Sequence, residues 1–100
     1  MNKLILDIAA DHPTGVGHFP GNPIIPGALL LAEVLHCIEH ALGLHFVSFN
    51  VKSAKFQHPA RPGDCVEIEY SYSSQGVINF QCAVAGTRVL SGALSATVDA

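Results

Sequence analysis

Between Gly17 and His36 the chain reads GHFPGNPIIPGALLLAEVLH. His18 stands among three prolines and three glycines, and the sequence then turns abruptly apolar. Imidazole exchanges a proton closer to neutral pH than any other unperturbed side chain. A histidine held in a restricted loop is therefore a candidate general base. The same histidine also reads as a plain turn residue, and the loop alone does not choose between the two. Further on, Glu33, His36 and His40 fall along one stripe if residues 28–42 are helical. That stripe reads as a polar rim or as part of a metal site. Nothing else in the sequence completes a ligand set, so no metal is expected, and no cofactor.

The elements that must position these residues follow from the pattern. Leu4, Leu6 and Ile8 alternate with Ile5 and Asp7, which predicts a strand over 3–9, buried on both faces at its start. Residues 10–26 are rich in Gly and Pro and read as a long functional loop. Residues 28–42 lack Gly and Pro, and Gly43 follows as a C-cap, so the spacing predicts a helix. Its apolar residues run nearly all round, which predicts burial on every side. The rest is β. Residues 46–56 alternate loosely, HPARPGD (58–64) is a turn, and Val66, Ile68, Tyr70 and Tyr72 alternate with polar residues. Short turns then lead into 77–85 and 88–98. Hairpin-length links demand antiparallel pairing. The expected architecture is α+β: one long central helix wrapped by a curved antiparallel sheet, in a single domain over 1–100.

Composition sets the outer bounds. The chain has 100 residues, 49% of them hydrophobic and 13% charged, with net charge -3. Such a core-rich chain folds, and its scarce charges leave apolar surface that predicts an oligomer, a homodimer or higher. Five Lys plus Arg argue against nucleic acid. Cys37, Cys65 and Cys82 fit neither a disulfide framework nor a zinc site and read as small buried hydrophobes in a reducing cytosol. No signal peptide and no membrane span are legible, so a cytoplasmic location is expected.

The expected architecture is that of the hot-dog fold. HFPGNPIIPGALLL resembles the signature H-F-P-G-x-P-x-x-P-G-x-L of the β-hydroxyacyl-acyl-carrier-protein dehydratases. AKFQHPARPGD resembles that family's second recognisable stretch, which ends in P-x-x-P-G-D. The likeness runs from about Asp11 to Ala96. The N-terminus is shorter than in the common fatty-acid-synthesis members, so a compact variant is expected, such as the short dehydratases of polyketide or aryl-polyene clusters.

The resemblance implies removal of water from a 3-hydroxyacyl thioester carried by an acyl-carrier protein or coenzyme A. It implies that His18 is the base. Pro20, Pro26, Gly21 and Gly27 restrict and turn the loop, with Phe19 beside the base. The N–H groups of Gly27 and Ala28, at the positive end of the helix, would hold the thioester oxygen. In the family a Glu or Asp stands where this chain has Ala32, and Glu33 comes one position later. One helical step is about 100°. Either the helix start is offset so that Glu33 substitutes, or the acid is absent, and the gap-free match favours absence. His36, one turn beyond Ala32, takes a position where the family often has Gln, and it would hold a water or give a proton there. Lys55 and Arg61 flank the P-x-x-P-G-D turn, near the family's active-site mouth, and are the candidates for docking an acidic carrier. Lys52 and Arg88 are the further cations. Two other functions remain open: a thioesterase with Glu33 activating water, which the H-F-P-G motif argues against, and a non-catalytic acyl-binding or partner subunit, which Ala32 favours.

Overall fold

The computed structural model describes residues 1–11 and 24–99. In chain order the elements are β1 (Asn2–Asp7), α1 (Gly27–Leu42), β2 (His45–Phe56), β3 (Cys65–Tyr72), β4 (Val77–Val84) and β5 (Thr87–Asp99). The strands form one antiparallel sheet in the order β1-β3-β4-β5-β2. The helix occupies 16 residues, about 24 Å at 1.5 Å per residue. It is an ordinary helix of between four and five turns, not the long one expected.

Why these residues form these elements is mostly periodicity. In β3 the residues Val66, Ile68 and Tyr70 are buried and their neighbours Cys65, Glu67 and Glu69 exposed, the period-two signature of a strand with one face on a core. α1 sends Leu30, Val34, Leu35 and Ile38 into that core, where they meet Val66, Ile68, Ile78, Phe80, Leu90 and Leu94. Spacings of three and four place them on one helical face. The helix stops at Gly43, whose φ of 68° is left-handed and which donates to His40. Leu44 then donates to the Glu39 carbonyl at 3.2 Å, closing the C-terminal turn.

Three expectations are corrected. β1 is an outer strand with only one face on the core: Leu4 and Leu6 are half-buried while Ile5 is 52% exposed. α1 is buried on one face only, with Ala28, Ala32 and Ala41 exposed, because small apolar residues tolerate water and do not by themselves mark a core. Of the cysteines only Cys82 is fully buried. Cys37 is half-buried and Cys65 exposed, since residue 65 lies on the outer face of β3. The loose alternation of β2 also finds its cause. Its register against β5 shifts between Phe46 and Ser48 and between Val51 and Ser53, so the inward face changes along the strand.

Candidate active site

The two motif stretches meet at the N-terminal end of α1. Ile25 and Ala60 form an antiparallel bridge, with the Ile25 N–H donating to the Ala60 carbonyl at 2.7 Å, and both residues are buried. Ala60 belongs to the proline turn. That turn is itself held by the Arg61 N–H on Asp64 Oδ2 at 2.8 Å and by Gly63 and Asp64 pairing with Ile8 at the end of β1. The segment leading into the helix is thereby fixed by residues far away in sequence. Pro26, with φ −55°, sets the turn into the helix, and the Leu30 N–H returns to its carbonyl at 3.0 Å. Among the described residues no side chain caps this end, and the first turn carries no acidic residue. The Gly27 and Ala28 N–H groups stand in the first turn, where helix donors have no intrahelical acceptor.

A largely apolar cavity of about 250 Å³ opens there, between Pro26, Gly27 and Leu30 on one side and Phe56, His58 and Pro59 on the other. Sequence reading missed Phe56 and His58 as lining residues. The signal was present in AKFQHPARPGD, but only the Ile25–Ala60 bridge brings that stretch to the helix.

A second pit of about 200 Å³ lies along the outward face of α1. It is lined by Ala32, Leu35, His36 and Glu39 of the helix and by Phe46 and Phe49 of β2. The structure therefore brings Ala32 and His36 together. Glu33 does not line this pit: it stands about 100° round the helix from Ala32 and three residues before His36, is half-buried, has its Oε2 sealed from solvent, and its charge acts on Cys37. The Glu39 carboxylate accepts from the Phe46 N–H at 2.6 Å. Glu39 Oε1 is 3.7 Å from His36 Nδ1 and Oε2 is 3.4 Å from His45 Nδ1. Glu39 and His45 were not singled out from sequence, and the link from Glu39 to Phe46 has no periodic signature. Among the described residues no three His, Cys, Asp or Glu side chains gather as a metal ion would require.

His18, Phe19, Pro20 and Gly21 lie outside the described residues. Lys55 and Arg61 occupy different grooves. Lys55 shares a polar one of about 290 Å³ with Arg88, Gln81 and Ser91, where Arg88 Nη2 donates to Gln81 Oε1 at 2.7 Å. Arg61 lines another of about 450 Å³ with Asp64, Thr87 and Val89. Among the described residues no helix is long and apolar enough to cross a membrane.

The titrating behaviour of the cysteines reflects burial and neighbouring carboxylates. Burial, with a smaller push from Cys37, raises the Cys82 thiol to about 12. Burial, then Glu33, raises that of Cys37. Cys65 is raised chiefly by its hydrogen bond to Asp7. None of the three is poised as a thiolate nucleophile at neutral pH.

Comparison with known proteins gives a consistent result. The chain is 30% identical, over 97% of its length and 76% of the relative's, to a 3-hydroxyacyl-[acyl-carrier-protein] dehydratase FabZ of Wolbachia. It is 36% identical to the protein of that name from Rhizobium rhizogenes over 78% of this chain, which spans 55% of that relative. Several of the matched relatives are thus covered over only about half to three-fifths of their length. Among solved structures, an uncharacterized protein from Erwinia carotovora superposes with a TM-score of 0.78 at 26% identity, covering 96% of this chain and 82% of that one. The dehydratase heterocomplex ApeI:P from Xenorhabdus doucetiae superposes at 0.75 and 23% identity, covering 94% and 84%. These neighbours share the hot-dog fold, here a five-stranded antiparallel sheet with one helix. The match to the ApeI-like family, described as ApeI dehydratase, runs over residues 2–93 and takes in both motif stretches, the bridge between them and the whole helix. This chain belongs to the ApeI-like dehydratase family.

Proposed function

We propose that the protein removes water from 3-hydroxyacyl thioesters of an acyl-carrier protein or coenzyme A. The observation that carries this is the seating of the motif: Pro26 and Gly27 are pinned by the Ile25–Ala60 bridge at a helix end with no side-chain cap among the described residues, beside an apolar cavity. His18 takes the α-proton. The Gly27 and Ala28 N–H groups receive the charge that develops on the thioester oxygen, which is the interaction that grows in the transition state. Pro26, Gly27 and Phe56 shape the acyl channel. The departing hydroxyl needs a proton, and on α1 the candidates are Glu33 and His36, with Ala32 at the position of the family acid.

Assembly belongs to this reading. Among the described residues the outer side of β2 pairs with no strand, and Val47, Phe49 and Val51 beside it are exposed at 62%, 53% and 40%. Two copies joined there would cover these residues and the pit at Ala32 and His36. The test is direct. The purified chain is given 3-hydroxyacyl thioesters on both carriers, and the products are weighed by mass spectrometry. Loss of one water with the thioester intact is expected, abolished in His18→Ala with the circular dichroism spectrum unchanged. Release of the free thiol would make it a thioesterase. A second reading, a subunit that needs a different partner to complete the site, is favoured by Ala32 alone. On that reading the isolated chain is inert and gains turnover only when mixed with a distinct relative.

A further inference from the structure

We propose that His36, oriented by Glu39, is the proton donor to the departing hydroxyl, in place of the carboxylate missing at Ala32. The assignment rests on the dehydratase reading and specifies its acid. Ala32 and His36 line the same pit, which Glu33, the carboxylate nearest to Ala32 in sequence, does not line; its charge acts on Cys37. An alanine in place of an acidic side chain leaves room on this face, and the next polar group along it, one turn away, is an imidazole.

The imidazole is not loose decoration. Its Nδ1 lies 3.7 Å from Glu39 Oε1, within ion-pair range, so its other nitrogen is directed away from Glu39. Glu39 is itself held. Its side chain is only 20% exposed, its Oε2 takes the Phe46 N–H, and its carbonyl takes the Leu44 N–H. At 3.7 Å the contact with His36 is longer than a hydrogen bond, so this backbone-held carboxylate favours one orientation of the imidazole by charge and by position. Among the described residues, the charged and titratable groups next to it on α1 are Glu33, three residues before it, with Glu39 and His40 after it. On β2 there is His45, at 3.4 Å from the same carboxylate. The remaining pit walls, Leu35, Phe46 and Phe49, are apolar.

The step balances without a redox partner. His18 removes the proton from the carbon next to the thioester carbonyl, and the electron pair forms the new carbon–carbon double bond. The carbon–oxygen bond at the next carbon breaks, and its pair leaves with the hydroxyl. Protonated His36 gives that oxygen its proton, and water departs. His18 ends protonated and His36 neutral, and solvent exchange restores both.

The experiment compares kcat, KM and pH profiles of the full chain and of His36→Gln, Glu39→Gln and Glu33→Gln. His36 has a side chain 83% exposed in the single chain, so its replacement leaves the fold in place. His36→Gln keeps hydrogen bonding but cannot act as an acid. It should lower kcat on the order of 10²–10⁴-fold with KM nearly unchanged. It should also remove the fall in kcat with rising pH that a charged donor imposes. Glu39→Gln retains an acceptor for Phe46 and should lower kcat by less, again without moving KM. Glu33→Gln should lower kcat by less than His36→Gln does and should keep the parent's pH profile. A His36→Gln chain with unaltered kcat and pH profile, beside an active parent, overturns this assignment and leaves the dehydratase reading standing. So does a Glu33→Gln chain that alone loses activity. A folded parent without turnover on either carrier takes down both.

Discussion

Two glycines test the distinction between a residue kept for the fold and one kept for the site. Gly92 sits in β5 opposite Phe80 on β4 and Ala54 on β2. A Cβ built there runs into the Ser53 carbonyl oxygen and lies 2.9 Å from the tip of the Phe80 ring and 3.2 Å from Ala54 Cα. The oxygen and Cα are backbone, and Phe80 is 1% exposed, so nothing can swing aside. Restoring ordinary contact, about 3.5 Å, means parting two strands by roughly 1 Å. Overpacking of this kind costs about 1–3 kcal/mol, and a backbone clash belongs at the upper end. For a chain of this size that lowers the melting temperature of Gly92→Ala by roughly 10–20 °C. Gly27 also has a crowded Cβ, at 2.8 and 2.9 Å from two atoms of the Phe56 ring. Phe56, however, is 51% exposed and can turn outward, and alanine is the better helix former by up to about 1 kcal/mol. Gly27→Ala should therefore melt within a few degrees of the parent. On the proposed reading it should still lose turnover on the order of 10²-fold, because the new methyl and the displaced ring occupy the cavity where the thioester must lie against the Gly27 and Ala28 N–H groups. Circular dichroism melts and product formation on the same preparations decide it. A Gly92→Ala chain as stable as the parent would refute the contact argument. A Gly27→Ala chain fully active would refute the site argument.

Other perturbations have defined outcomes. Cys82 ionises at about 12 when folded against an ordinary 9.0, so its contribution to stability is complete below pH 9 and is lost as pH rises toward 12. Denaturant melts at stepped pH should show that decline, and Cys82→Val should flatten it. Among the thiols Cys65 should alkylate first because it is exposed, and Asp7→Asn should speed the reaction, since the Asp7 hydrogen bond raises the Cys65 pKa and so holds back the thiolate. Reversing Lys55 and Arg61 to Glu should slow association with an acidic carrier protein, and the parent's association rate should fall with added salt; a rate insensitive to both would dismiss these residues as docking cations. Ala32→Glu should raise dehydration, read as product per minute, if the family acid's position is merely vacant. Sedimentation at micromolar concentration should give a dimer, and a folded monomer would dismiss the β2 pairing.

How much of this was legible in the sequence depends on the reach of each interaction. The alternation in Val66, Ile68 and Tyr70, and the helix ended by Gly43, are local, and the strands and helix lie within a residue or two of where the pattern puts them. Periodicity reports that a face is apolar, not what covers it. Ile5 and Ala32 therefore read as core from sequence and are exposed in the chain. The partners of the site residues were the least legible. The Ile25–Ala60 bridge joins stretches 35 residues apart, and the hold of Glu39 on Phe46 crosses a helix end. Neither leaves a spacing that a reader could count. The need for glycine at 92 was equally hidden, because it arises from strands that meet only once the sheet is built.

The sheet's two borders differ in a way that limits what it can build. β1 is a border of six residues bearing Lys3 and Asp7, short and charged, the kind of margin that discourages further strands. β2 is a border of 12 residues with exposed Val47, Phe49 and Val51. A subunit adhesive on both margins would add neighbours without end and grow into filaments. One adhesive on a single margin, joined by a two-fold axis, exhausts its valence with the first partner. On the pairing proposed above, growth would stop at a pair, and raising the protein concentration would fill that pair without lengthening it.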